Sequence, residues 1–157
     1  MAKRDILILP DPVLRKMAAP VAQVDARVRA LADDMLETMY AAPGSGLAAP
    51  QVGGLERIVV CDVGTEEGAE PDPHVLINPV LESASEEPSV YEEGCLSIPD
   101  YTEDVTRPAA VRISYLDRDG ALQTMDAAGL LATCLHHEIA HLNGVLFIAR
   151  LSRLTRE

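Results

Sequence analysis

The chain has 157 residues, about the size of one ordinary domain, and 48% of them are hydrophobic, so wholesale disorder is excluded. There is no Trp and one Phe, so the core must be aliphatic. A net charge of −12, with no run of Lys and Arg longer than two, excludes nucleic acid and argues against anionic membrane surfaces as partners.

The N-terminal apolar run ends at Pro10, too short for a signal-peptide core or a membrane span, and points to a cytoplasmic chain. Residues 25–44, "DARVRALADDMLETMYAAPG", predict an amphipathic helix. Val28, Leu31, Met35 and Met39 recur at helical spacing, Asp25 can cap the start, and Pro43-Gly44 stops it. "ERIVVCDV" (56–63) predicts a buried strand, and "TEEGAEPDP" (65–73) an acidic surface loop. Strands are expected at 74–84 and 89–94, then a hairpin of 109–120 and 121–127 turned at Asp119-Gly120. A second helix follows, with Asp126 as the expected cap and Asn143-Gly144 as a left-handed stop. Strands segregated from two helices make an α+β fold, and no linker or repeat divides the chain, so one domain over 1–157 is expected. Nothing suggests an exposed apolar helix face, and a monomer is the expectation.

The second helix carries "LHHEIAHLNG" (135–144). His137 and His141 stand four residues apart, about 40° round the helix and one turn along, so both imidazoles can reach one metal ion. Glu138 lies beside them, where it can act as a general base on water. His136 lies about 140° from His141 and should not share the ion. An open catalytic site needs three protein ligands. The sixteen residues after His141 hold no His, Cys or Asp and one carboxylate, so the third ligand should come from upstream. The candidates are Cys61, Cys95, Cys134 and His74. Cys134 is about 10 Å along the axis from His141, too far for an ion between the two histidines. Cys61 reads as an inert buried thiol and His74 as a surface residue. Cys95, after a strand and a glycine, is favoured. Three cysteines, an odd number, argue against a complete disulfide framework.

These residues resemble the peptide deformylase family. "GSGLAAPQ" (44–51), "EGCLS" (93–97) and "HEIAH" (137–141) are similar to its three motifs in order, and "INPV" (77–80), "VTRP" (105–108) and "LNGVLF" (142–147) match between them. The resemblance implies antiparallel strands packed around a central metal-binding helix. It implies a Cys95-His137-His141 site, usually holding Fe2+, although this donor set also suits Zn2+, Ni2+ or Co2+. It implies removal of the formyl group from N-formylmethionyl peptides. Glu138 would move the proton, and the Gln51 amide and the Leu96 N–H would hold the oxyanion. Gly46 would bind the peptide backbone. Leu130 and Cys134, on the helix before His137, could line a pocket for the methionine side chain.

Two departures stand out. Family members commonly carry Gln and Asp where this chain has His136 and Ala140. The missing aspartate is expected to leave Arg107 in need of a partner, with Glu93 the better candidate and His136 the poorer. The sequence also ends at "ARLSRLTRE" without a longer basic helix, which makes ribosome docking by that route doubtful. The rival readings are a metallopeptidase or amidase of other specificity, and a divergent relative with altered substrate or with weak or no turnover, which keeps the metal for structure or binds formyl-peptides only.

Overall fold

The computed structural model describes residues 3–8, 11–63 and 71–145, apart from the side chains of 100 and 101. In chain order they form α1 (Ala26–Ala41), β1 (Gly46–Ala48), β2 (Ile58–Cys61), β3 (His74–Ala84), β4 (Pro88–Cys95), β5 (Ile98–Pro108), β6 (Ala110–Leu116), β7 (Leu122–Ala128) and α2 (Gly129–Leu142). Five strands make an antiparallel sheet in the order β1-β2-β3-β6-β7, while β4 and β5 pair only with each other. The expected α+β class and the central helix are both present.

β2 explains why a helix lies on each face of the sheet. Its four residues are all buried, as a strand covered on both sides requires. Side chains alternate along a strand, so Ile58 and Val60 join Val28, Leu31, Met35 and Met39 of α1. Val59 and Cys61 face the other way and pack with Ala132, Leu135, Ile139 and Leu142 of α2. The first helix is capped as its sequence suggests, Asp25 Oδ1 accepting from the Val28 N–H at 3.0 Å.

The 74–84 strand has the expected bounds. The hairpin turns at Asp117–Ala121, with Gly120 at φ +83° donating its N–H to the Asp117 carbonyl. Three readings need correction or limits. Asp126 does not cap α2: it lies in β7, bound to Arg112 at 2.8 Å, and the N-cap is Ala128 without a side-chain cap. β1 and β5, unforeseen, are strands. Residues 65–70 of the acidic loop, with residue 64 before it, and the chain from 146 onward lie outside the described residues. Among the described residues, no helix is long and apolar enough to cross a membrane.

α2 ends at the expected left-handed glycine. Gly144 has φ +74°, and a Cβ there would collide with the Arg15 carbonyl group. Gly53, at φ +87°, has open space around it. Gly144→Ala should therefore lower stability by more than the roughly 1 kcal/mol expected of backbone strain alone at Gly53→Ala. Urea midpoints of the two variants measure the difference.

Candidate active site

The β4–β5 hairpin brings a cysteine to α2. The pairing runs from Pro88↔Pro108 to Gly94↔Thr102, then jumps to Cys95↔Ile98, leaving residues 99–101 outside the ladder. This irregularity at the tip is a common way to re-aim a side chain. Cys95 Sγ lies 3.2 Å from His141 Nε2. Donor atoms of Cys95, His137 and His141 all fall within 4.8 Å of one another, and these three residues are the metal-competent cluster among the described residues.

The histidines are oriented for ligation. His137 donates from Nδ1 to Glu93 Oε1 at 2.9 Å, which leaves Nε2 as the ligand atom once a metal displaces its proton. His141 is fully buried with Nε2 toward the thiol. Burial, reinforced by His137 and Arg107, holds its ring well below its usual pKa, so it stays neutral as a ligand must. At His137, burial alone would lower the pKa, but Glu138, Cys95 and Glu93 outweigh it and lift the ring to about 10. The site thus stabilises positive charge, and a divalent cation would meet the same field. Three donors, one of them a thiol, fit an open metal site.

Glu138 is the next residue on α2, and its carboxylate reaches beneath Gly46. A Cβ at Gly46 would lie 2.6 Å from Glu138 Oε2 and 2.7 Å from Cys134 Sγ, so only glycine lets β1 pass this close. Burial, partly offset by His137 and Arg107, pushes the Glu138 carboxyl up to about 7. Its Oε1 is buried without a hydrogen-bond partner among the described residues. A group held ready in this way suits proton transfer near neutral pH.

Gln51 comes from the 3-10 turn Ala49–Val52 that follows β1. Its Oε1 accepts from the Ala48 N–H at 3.0 Å, which fixes the amide so that Nε2 faces Ser97 Oγ at 3.2 Å and Cys95 Sγ at 3.5 Å. A cavity of about 690 Å³ opens over this group, and Gly46, Gln51, Leu96, Leu130, Cys134 and Glu138 are among its walls. The structure therefore brings together all nine residues singled out in the sequence. His74 stands apart beside Asp72. Cys61 is buried, but its sulfur meets that of Cys134 at 3.0 Å.

Arg107 does not lack a partner. Its Nε and Nη2 grip Glu93 at 2.6 and 2.9 Å, and its Nη1 donates to His136 Nδ1 at 2.9 Å. Burial would raise the Glu93 carboxyl, but the hydrogen bonds from His137 and Arg107 outweigh it and hold it below its usual value. Ala140 lies instead in a groove with Val80, Leu81 and Val145. Ser97, buried and bonded to Gln51, was given no role in the sequence. Its signal was its place in the same five-residue motif as Cys95. The Glu93–His137 bond was foreseeable from the rule that metal-binding histidines donate their second N–H to a carboxylate.

The family profile described as polypeptide deformylase matches residues 3–157. A peptide deformylase of Rhizobium meliloti (strain 1021) is 60% identical over 157 residues, spanning 100% of this chain and 90% of the relative. One of Mesorhizobium japonicum is 59% identical, spanning 100% and 89%. Among solved structures, peptide deformylase from Ehrlichia chaffeensis superposes with a TM-score of 0.93 at 40% identity, over 99% of this chain and 91% of that one. A second structure of the Ehrlichia protein, in complex with actinonin, gives a TM-score of 0.92 at 43% identity over 99% and 92%.

The buried pair generates two expectations. Arg107→Met removes the guanidinium from the buried Glu93 carboxylate, leaving it only His137, and should cost about 3 kcal/mol in a denaturant titration. Glu93→Gln keeps the shape but loses the carboxylate on His137, and should weaken divalent-metal binding by about 10–100-fold in a competition titration against a chelator.

Proposed function

The chain belongs to the polypeptide deformylase family, and from that premise we propose how its own residues divide the work. It is a metal-dependent hydrolase that removes the N-formyl group from the N-terminal formylmethionine of newly made peptides. Cys95, His137 and His141 would hold the metal, with ferrous iron as the native occupant and zinc, nickel or cobalt as possible substitutes in the same donor set. When bound, the metal would supply Lewis acidity to the formyl oxygen and to the attacking water.

The formyl-methionine end enters the cavity beside β1. Leu96, Leu130 and Cys134 give its wall the apolar surface a methionine side chain needs. Gly46 brings the backbone of β1 within reach of the peptide. Glu138 accepts the proton of the attacking water and delivers it to the leaving amine. As the formyl carbon becomes tetrahedral, negative charge gathers on its oxygen. The Gln51 amide, held by the Ala48 N–H, and the Leu96 backbone N–H are the donors assigned to that charge. Gln51 needs no reorganisation at that moment, because its carbonyl end is already anchored.

The observation that carries this reading is the convergence of one thiol, two imidazoles, a buried carboxylate and an oriented amide on one cavity. The substrate is a peptide rather than a nucleic acid, and the working form is a monomer in the cytoplasm, where nascent chains are made.

Protein loaded anaerobically with ferrous iron should deformylate formyl-Met peptides and leave acetyl-Met peptides intact. Release of formate with equal cleavage of acetylated peptides would contradict the reading. Glu138→Ala should lower kcat by about 10²–10⁴-fold while metal content, read by elemental analysis, is unchanged. Gly46→Ala should displace Glu138 and cost about a hundredfold in kcat/KM with the fold intact by circular dichroism.

A further inference from the structure

The described cysteines are all free, and two of them have no part in holding the metal. Cys61 Sγ on β2 lies 3.0 Å from Cys134 Sγ on α2, a hydrogen-bonded thiol pair. Cys61 is fully buried, whereas Cys134 is part-exposed on the cavity wall. Gly46 stands opposite Cys61 in the β1–β2 pairing, and a Cβ on it would touch Cys134 Sγ at 2.7 Å. The two sulfurs therefore lie against the stretch of backbone that walls the pocket, one helical turn from His137.

We propose that Cys61 and Cys134 are an oxidisable dithiol, closed to a disulfide by a peroxide that reaches Cys134 through the cavity. The disulfide bond is about 2.05 Å long, so the sulfurs need approach by only about 1 Å, within reach of small side-chain rotations. Peroxide oxidises one thiol to a sulfenic acid, its O–O bond breaking and water leaving. The second thiol displaces hydroxide from that sulfur, and the proton lost from the second thiol completes a second water. Two S–H bonds and one O–O bond are exchanged for one S–S bond and two waters. In the reduced state Cys61, burial and Glu138 push the Cys134 thiol well above its usual pKa. Cys134 thus rests as a thiol, which slows its attack on peroxide and keeps it from competing with Cys95 for the metal. Closure draws the Cys134 sulfur toward β2 and away from the substrate, and ties α2 to the sheet beside Glu138. The effect on turnover rests on the deformylase reading above; the bond itself does not.

The test treats full-length nickel-loaded protein with hydrogen peroxide, so that ferrous oxidation does not enter. Remaining thiols are then alkylated, and the chain is cut at acidic residues, which separates Cys61, Cys95 and Cys134 onto different peptides. The expected result is a peptide bearing Cys61 linked to one bearing Cys134, lighter by two hydrogens and released by dithiothreitol. Cys61→Val keeps the apolar volume and should show no link. Links through Cys95, or oxidation of Cys95 with Cys61 and Cys134 still alkylated, would overturn the proposal. The linked wild type should show a several-fold higher KM for a formyl-Met peptide, restored by dithiothreitol, with Cys61→Val unaffected. A linked protein with unchanged KM overturns the effect on the pocket. Untreated protein that deformylates nothing would instead count against the function, and the peptide map would still decide the dithiol.

Discussion

The buried ion pair between Arg107 and Glu93 is the constraint on which the site depends. The β4–β5 hairpin carries Cys95 but shares no strand pairing with the main sheet. α2 carries both histidines. The thiol and the imidazoles reach one ion only if hairpin and helix are locked together. Arg107 is the largest fully buried side chain among the described residues, and it does the locking with directional bonds. It grips Glu93 within the hairpin and His136 on the helix, while Glu93 reaches across to His137. Apolar contact alone would allow sliding by a fraction of an ångström. The bidentate guanidinium–carboxylate pair is held rigid within the hairpin by two parallel hydrogen bonds, so the directional bonds it makes to His136 and His137 fix the helix against it.

Burying two charges is expensive, and such pairs often add little net stability compared with apolar replacements. What this pair supplies is register. It also adds to the electrostatics, because Glu93, together with the larger effect of Glu138 and the hydrogen bond to Cys95, lets a deeply buried His137 favour positive charge. The same helix leaves Glu138 Oε1 and His141 Nδ1 buried without partners among the described residues. Each such atom costs the fold something on the order of 1–3 kcal/mol. The aliphatic cores on the two faces of the sheet carry that cost, and the polar atoms remain available to chemistry.

Much of this was legible in the sequence because the strongest signals are local. His137, Glu138 and His141 lie within one helical turn, and helical geometry decides which of them converge. Cys95 was separable from Cys61 and Cys134 by position alone. β5 was not legible, because its inward face reads Glu103, half-buried, then buried Val105 and Arg107: an inward-facing arginine removes the apolar alternation by which a strand is recognised. β1 was hidden for a related reason, since three small or apolar residues before Ala-Pro read as a turn unless the partner strand is known. Asp126 looked like a cap because Asp precedes the helix, yet Arg112 opposite it in the hairpin claims its carboxylate. The Cys61–Cys134 contact joins positions 73 residues apart and leaves no trace in local pattern.

The central claim is an open site built from one thiolate and two imidazoles. X-ray absorption of the zinc-loaded protein reads that ligand set directly. The account predicts one sulfur at about 2.3 Å, two nitrogens at about 2.0–2.1 Å, and one further light atom from solvent. A shell without sulfur, or one with a second sulfur from Cys134, would contradict it.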